Sequence, residues 1–432
     1  MNALLALLCT YAVPSPSVPA DPTGIQAALN AADEVCVSPG VWHLPYVRGG
    51  ASIVIQQGKH LHLDPGATLV QYGDAHGGTW YAVSLRGGTI DGGAIRQEIT
   101  NPDPAQQDHL IDLGAGQGSG VYNTVLGPTT GGDCIRMMGV SANVVGGFVT
   151  NVTAVGCARS AVTVQHGVLY SSIAGCTFVG AGGSEIDFEP TSPGPVNLNI
   201  TDNTLVHTGH ARALTLSDNG ENGSVVAHNT ITGGNVQAVR ATGVVFRDNT
   251  VVGSPTDATA TLDFIRDVSG LVIEGNRVSR PASAPAQSLL RVLCNNGACP
   301  TDVHVADNVL VQGTVGYVVE LDGLSNSTFS GNRLVSPWSK GYAVLARSQQ
   351  GQCTGLSFSG NTVVGPGDGV AAFRFAGGAN AFPTGAVSAE VNGVQGFGMV
   401  AVCDNATQGP VSLVNNVPGT SRCPQPPVTT PP

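Results

Sequence analysis

Ser224-Val225-Val226-Ala227-His228-Asn229-Thr230-Ile231-Thr232-Gly233-Gly234-Asn235-Val236-Gln237-Ala238-Val239 decides the fold of this 432-residue chain. The stretch holds three short pieces with period-two alternation, Ser224–Ala227, Asn229–Thr232 and Val236–Val239, parted by turn-forming residues. Alternation over so few residues reads as strand rather than helix. Its centre, a small or polar residue, then Asn, then two or three apolar residues, recurs along the chain. It reads Thr150-Asn151-Val152-Thr153, Asp202-Asn203-Thr204-Leu205, Asp248-Asn249-Thr250-Val251, Gly275-Asn276-Arg277-Val278, Asp307-Asn308-Val309-Leu310, Gly331-Asn332-Arg333-Leu334 and Gly360-Asn361-Thr362-Val363. Gly175-Cys176-Thr177-Phe178 holds one place with Cys. Successive spacings are 25, 27, 26, 20, 27, 32, 24 and 29 residues. Such a period, made of short strands and turns, is the mark of a solenoid. The count predicts about ten to thirteen coils of three strands each. Stacked coils lie ~4.8 Å apart, within reach of an amide-to-amide ladder, so the Asn column is structural.

Composition agrees. Gly supplies 59 residues, suiting a fold with three turns per coil. Charged residues are only 11 %, and the net charge is −11 with two lysines and sixteen arginines. That balance argues against nucleic acid or an anionic membrane as partner. The apolar run Leu4-Leu5-Ala6-Leu7-Leu8 is too short to span a bilayer, so no membrane span is expected. Residues 1–20 read either as a leader or as an ordinary N-terminal segment, because no Lys or Arg precedes the apolar run. Ten cysteines lean toward an oxidising compartment. Cys294–Cys299 and Cys403–Cys423 lie in turn-rich stretches where loop closure costs little, and both are expected to be bonded. Cys134, Cys157 and Cys176 are left open as buried thiols or pairs. No Cys-x-x-Cys or His/Cys spacing suggests zinc.

Three strands per coil and about 25 residues per turn resemble the right-handed parallel β-helix of pectate lyases, polygalacturonases and phage tailspikes. Thr23 followed by Ile25, Ala28, Leu29 and Ala32 predicts a short N-capped amphipathic helix. With Val35-Cys36-Val37-Ser38-Pro39-Gly40-Val41-Trp42 and Leu61-His62-Leu63-Asp64-Pro65-Gly66 it is similar to the start of that superfamily, where such a helix plugs the first coil. The implied plan is all-β. Residues 21–45 form the cap and first strand, 46–375 a single right-handed parallel β-helix, and 376–432 closing strands and a Pro-rich tail.

One coil departs from the pattern. In Ser184-Glu185-Ile186-Asp187-Phe188-Glu189-Pro190, Ile186 and Phe188 alternate inward, so Glu185, Asp187 and Glu189 are expected to project together from the outer face. Like charges so placed destabilise a sheet, which argues for a functional row. Residues two apart on a strand lie about 6.6 Å apart. That separation suits the acid and water-activating base of inverting glycoside hydrolysis better than the closer pair of a retaining enzyme. Asp187, Glu189 and Glu185 are therefore the catalytic candidates. Gln165 and His166 in the preceding coil, His210 and Arg212 in the following one, and Asp133 and Arg136 further back are the substrate-binding candidates. No cofactor is required. A Ca²⁺ ion on the acidic row is the alternative.

Gly132-Asp133-Cys134-Ile135 resembles the polygalacturonase Gly-Asp-Asp-Cys segment with one Asp missing. No Arg-x-Lys follows, so that active site does not carry over. Three functions stand: a polysaccharide-cleaving glycoside hydrolase, secreted or borne on a phage tail; a non-catalytic glycan-binding adhesin or tail protein; and a polysaccharide lyase. The expected partner is a polysaccharide, and the expected state is a monomer or homotrimer.

Overall fold

The computed structural model describes residues 9–15, 17, 18, 21–47, 49–74, 79–100, 107–139, 142–189, 194–209, 212–216, 223–337, 341–349, 353–377, 387–390, 392–404, 412–414, 416 and 421–423. The chain forms two compact units, Met1–Thr215 and Leu216–Pro432. Each is a parallel β-solenoid, and together they carry about 13 turns. No helix among the described residues is long and apolar enough to cross a membrane.

In the second unit the deciding stretch folds as read, into strands Val225–Ala227, Thr230–Thr232 and Asn235–Val239. They stack in parallel register on the next coil, pairing Val226 with Phe246, Ile231 with Val251 and Ala238 with Phe264. All six side chains are fully buried. Alternation turns one side of every strand into the core, and each coil contributes one rung to three apolar columns. Phe329 and Phe358 continue such a column with ring centroids 5.1 Å apart.

The Asn column is an internal ladder. From Asn229 to Asn416 each Nδ2 donates to the Oδ1 of the Asn one coil on at 2.9–3.0 Å. The backbone N–H of each donates to that same oxygen. The ladder runs two rungs past the last repeat read in the sequence, through Asn392 and Asn416. The left-handed turn is made by the residue before each Asn: His228, Asp248, Gly275, Asp307, Gly331 and Gly360 have φ between 54° and 66°. One residue therefore bends the chain and the next seals the bend from inside.

The first unit begins the same ladder with substitutes. Cys176 N–H donates to Asn203 Oδ1 at 2.9 Å, and Val152 N–H reaches Cys176 Sγ at 3.5 Å. The expected place of Asn151 is corrected by one residue. Asn151 itself holds the left-handed position, φ 52°, and its exposed amide bonds Asn123, so Val152 fills the inner column.

The cap helix spans Ile25–Ala31 and buries Ile25 and Leu29. Its N-cap is Gly24, not Thr23. Thr23 Oγ1 accepts the Ile25 N–H, and Asp21 accepts the Ala27 N–H, so two otherwise orphaned donors are satisfied from just outside the helix. Gln26 exchanges two hydrogen bonds with the Val54 backbone, covering polar groups of a strand edge. Thr10–Tyr11 form a strand beside Val35 and Cys36, and a Cys9–Cys36 disulfide ties it there. The rest of the expected leader region and the Pro-rich end, residues 424–432, lie largely outside the described residues. Cys134–Cys157, Cys294–Cys299 and Cys403–Cys423 are bonded, while Cys176 and Cys353 are buried thiols.

Candidate functional site

Asp187 sits at the centre of the three-residue strand Ile186–Phe188, whose flanking side chains are fully buried, so alternation sends the carboxylate outward. On the same sheet Thr163 is its rung on one side and Thr215 on the other. Thr215 Oγ1 accepts the Phe188 N–H, so its single proton is free for Asp187 Oδ1, with which it is hydrogen-bonded. Burial pushes the Asp187 pKa above the ordinary carboxylate value. The Thr215 bond works against that shift and the nearby Glu189 and Asp133 charges add to it.

Glu189 follows directly and takes a different environment. Arg159 Nη2 donates to its Oε1 at 2.5 Å, and Gln165 Nε2 donates to Oε2. One carboxylate oxygen thus faces a cation and the other a neutral amide donor. Glu189 and Arg159 keep 21 % and 32 % of their side-chain surface exposed, enough for a ligand to reach both. Arg159 in turn lies 3.9 Å from Asp133, which is fully buried against His109 at 3.1 Å and accepts the Ser160 N–H. Burial alone would raise Asp133, but the His109 hydrogen bond and charge, together with Arg159, hold it below the ordinary value.

Glu185 is a correction. It does not join the outward row: it is fully buried, its Oε1 accepting the Ala181 N–H and facing His207 Nδ1 at 3.3 Å. The strand starts only at Ile186, so alternation does not reach back to Glu185, which belongs to the preceding turn. The three-carboxylate row is two outward carboxylates above two buried His–carboxylate pairs.

The flanking candidates divide similarly. Gln165 and Asp133 join the cluster. Arg136 pairs with Asp112 at 3.2 Å and lies over the Tyr81 ring, two rungs from Asp187. His166 is half-buried in the turn after Gln165. Arg212 opens its strand with the parity of the buried Leu214 and Leu216, opposite to Thr215, so the cation beside the carboxylates is Arg159. His210 lies outside the described residues. Sequence reading missed Arg159. Its signal is weak, a lone Arg just ahead of Ser160-Ala161-Val162, and only the coil-to-coil register aims it at Glu189.

Glu185, Asp187 and Glu189 do not converge as one ligand set. Among the described residues the group of His, Cys, Asp or Glu atoms that does so is His60, His62 and Asp91.

No family model matches the chain, and a search of curated proteins finds no match. Solved structures do match in architecture. A Dettilon tailspike protein is 12 % identical over 95 % of this chain and 69 % of that one, with a TM-score of 0.48. The A-module of the Azotobacter vinelandii mannuronan C-5 epimerase AlgE4 is 14 % identical over 90 % and 94 %, with a TM-score of 0.39. The catalytic unit of an α-1,3-glucanase from Streptomyces thermodiastaticus is 10 % identical over 98 % and 69 %, with a TM-score of 0.41. The likeness is one of fold, the right-handed parallel β-helix.

Proposed function

We propose that the chain is a polysaccharide-directed glycoside hydrolase of the inverting type, with Asp187 as general acid and Glu189 as the base that activates water. The observation that carries this reading is the split environment of the two carboxylates. Asp187 is half-buried with a raised pKa, whereas Glu189 is held by Arg159 and Gln165. A carboxyl with a raised pKa beside a second carboxylate fixed by a cation and an amide is the arrangement that acid–base hydrolysis uses. Residues two apart on an extended strand are about 6.6 Å apart along the backbone, near the lower end of the ~6.5–9.5 Å that leaves room for a water, and Glu189 lies one residue past the strand's end at Phe188. Gln165 and Arg159 supply donors for sugar hydroxyls. Four disulfides suit an extracellular or virion-borne protein.

The test is a broad polysaccharide-degradation screen, followed by Asp187→Asn and Glu189→Gln on whichever polymer is cleaved. Loss of one acid–base partner costs ~10²–10⁴-fold in turnover, and NMR of the first product should show inverted anomeric configuration. A wild type that cleaves nothing, or variants that keep full activity, would sink the proposal. One observation favours the non-catalytic reading: both Glu189 oxygens already have protein partners. In that case Glu189→Gln changes affinity on a glycan array while no polymer is turned over.

A further inference from the structure

We infer that the first coils of the first unit carry a divalent transition-metal site, built by His60, His62 and Asp91, that takes Zn²⁺ rather than Ca²⁺ or Mg²⁺. His60 and His62 lie two apart on the His60–Asp74 strand, so alternation presents both imidazoles on one side. The parallel rung beside it pairs His60 with Thr89 and His62 with Asp91. One nitrogen from each imidazole and a carboxylate oxygen of Asp91 all lie within 4.8 Å of one another. His60 Nε2 is 3.1 Å and His62 Nδ1 2.7 Å from the same Asp91 Oδ1.

The second nitrogen of each ring shows how the first is aimed. His60 Nδ1 lies 2.8 Å from Thr89 Oγ1, and His62 Nε2 lies 3.5 Å from Asp64 Oδ1. At 3.1 and 2.7 Å, His60 Nε2 and His62 Nδ1 donate to Asp91 Oδ1. A divalent ion takes the place of those two protons, and the ring protons then sit on His60 Nδ1 and His62 Nε2, where Thr89 and Asp64 accept them. An oxygen partner on the distal N–H is how metal-binding imidazoles are oriented and made more basic. The Tyr122 ring, stacked on His60 with centroids 5.9 Å apart, holds that ring in plane.

Two imidazole nitrogens and one carboxylate oxygen suit Zn²⁺, whose catalytic sites keep three protein ligands and one open position. Ca²⁺ and Mg²⁺ favour shells of six or more oxygens, which this set does not offer. Tetrahedral zinc–ligand bonds of about 2.0–2.2 Å set donor atoms roughly 3.3–3.6 Å apart, so the 3.1 and 2.7 Å contacts to Asp91 would lengthen by about 0.2–0.9 Å. His60 and His62 line a cavity of about 630 Å³, with Glu34, Lys59 and Tyr122 on other walls. The cluster is separate from Asp187 and Glu189 and does not depend on their role.

The test uses the full chain, stripped with a chelator and titrated calorimetrically with Zn²⁺, then with Co²⁺ as a visible probe. The expected result is one Zn²⁺ per chain, d–d bands of four-coordinate Co²⁺, and a higher melting temperature with Zn²⁺ but not with Ca²⁺ or Mg²⁺. His62→Ala should abolish the site. Asp64→Asn, which touches no ligand atom directly and keeps its volume, should weaken binding ~10–100-fold. The inference is overturned by absence of stoichiometric binding or by equal stabilisation with Ca²⁺. It is also overturned by binding that survives both variants, or by binding that vanishes instead in Cys176→Ser or Cys353→Ser.

Discussion

Asp187 and Asp133 face opposite electrostatic surroundings within one cluster, and each makes its own prediction. Asp187 has a raised folded pKa, so its proton is bound more tightly in the folded state than in the unfolded chain. Stability then falls as pH rises from the ordinary carboxylate value, about 3.9, through the folded pKa, and the deficit persists at neutral pH. Asp187→Asn removes the ionisable group and can still accept the Thr215 hydrogen bond. The variant should be more stable than wild type at pH 7 by ~0.2–1 kcal/mol, the scale of like-charge neighbours on a sheet. The gain should disappear below about pH 4, which urea unfolding at both pH values would check. A less stable variant at pH 7 would mean that the carboxylate is structurally required. Asp133 carries the opposite sign. Its folded pKa is lowered, so its contribution is present above the ordinary carboxylate value and is lost as pH falls through the folded pKa. Asp133→Asn removes the carboxylate that faces fully buried His109, whose Nδ1 still accepts the Asp133 backbone N–H, and should cost ~1–3 kcal/mol, read as a drop in urea midpoint. A change under ~1 kcal/mol would show that the carboxylate adds little to the His109 contact.

The element that repeats is a strand, a left-handed residue, an inward Asn and another strand. Interior Asn276 gives two hydrogen bonds through Nδ2 and accepts two from Asn249. Asn276→Ala leaves both Asn249 donors buried without that acceptor. At ~1–3 kcal/mol for each stranded donor, a loss of ~2–6 kcal/mol is expected in thermal or urea unfolding. Cys176 occupies an equivalent place in the first unit, where its thiol faces the Val149 carbonyl and the Val152 N–H. Cys176→Asn should therefore be tolerated or mildly stabilising, because an amide offers both a donor and an acceptor there. If Cys176→Asn costs as much as Asn276→Ala, the two places are not equivalent. The repeat was legible because Asn, unlike its apolar neighbours, recurs at one place per coil. Which residue of each phrase makes the turn was not legible, since Asn, Asp, Gly and His all adopt positive φ there and pattern alone cannot order two turn-formers. Asn151 shows this by taking the turn rather than the ladder.

For the whole molecule the cysteine pattern is the most direct check. The denatured, unreduced protein should expose two reactive thiols, Cys176 and Cys353, and ten after reduction. Opening Cys134–Cys157, 23 residues apart, should cost about 3 kcal/mol on the chain-entropy account. A count of ten before reduction would refute the pairing. Two of the four disulfides were expected from short loops in turn-rich stretches. Cys9–Cys36 was not, because its partners meet only when an N-terminal strand docks on the first coil. The coil period, the three strands, the inward–outward alternation and the placement of Asp187 follow from the sequence by itself, because strand periodicity is a local property of backbone geometry. Tertiary structure decided which carboxylates share a face, that Arg159 rather than Arg212 serves Glu189, and that His60 and His62 meet Asp91. Those choices depend on the stacking register between coils, where residues some thirty positions apart become neighbours and a shift of one residue points a side chain to the opposite face.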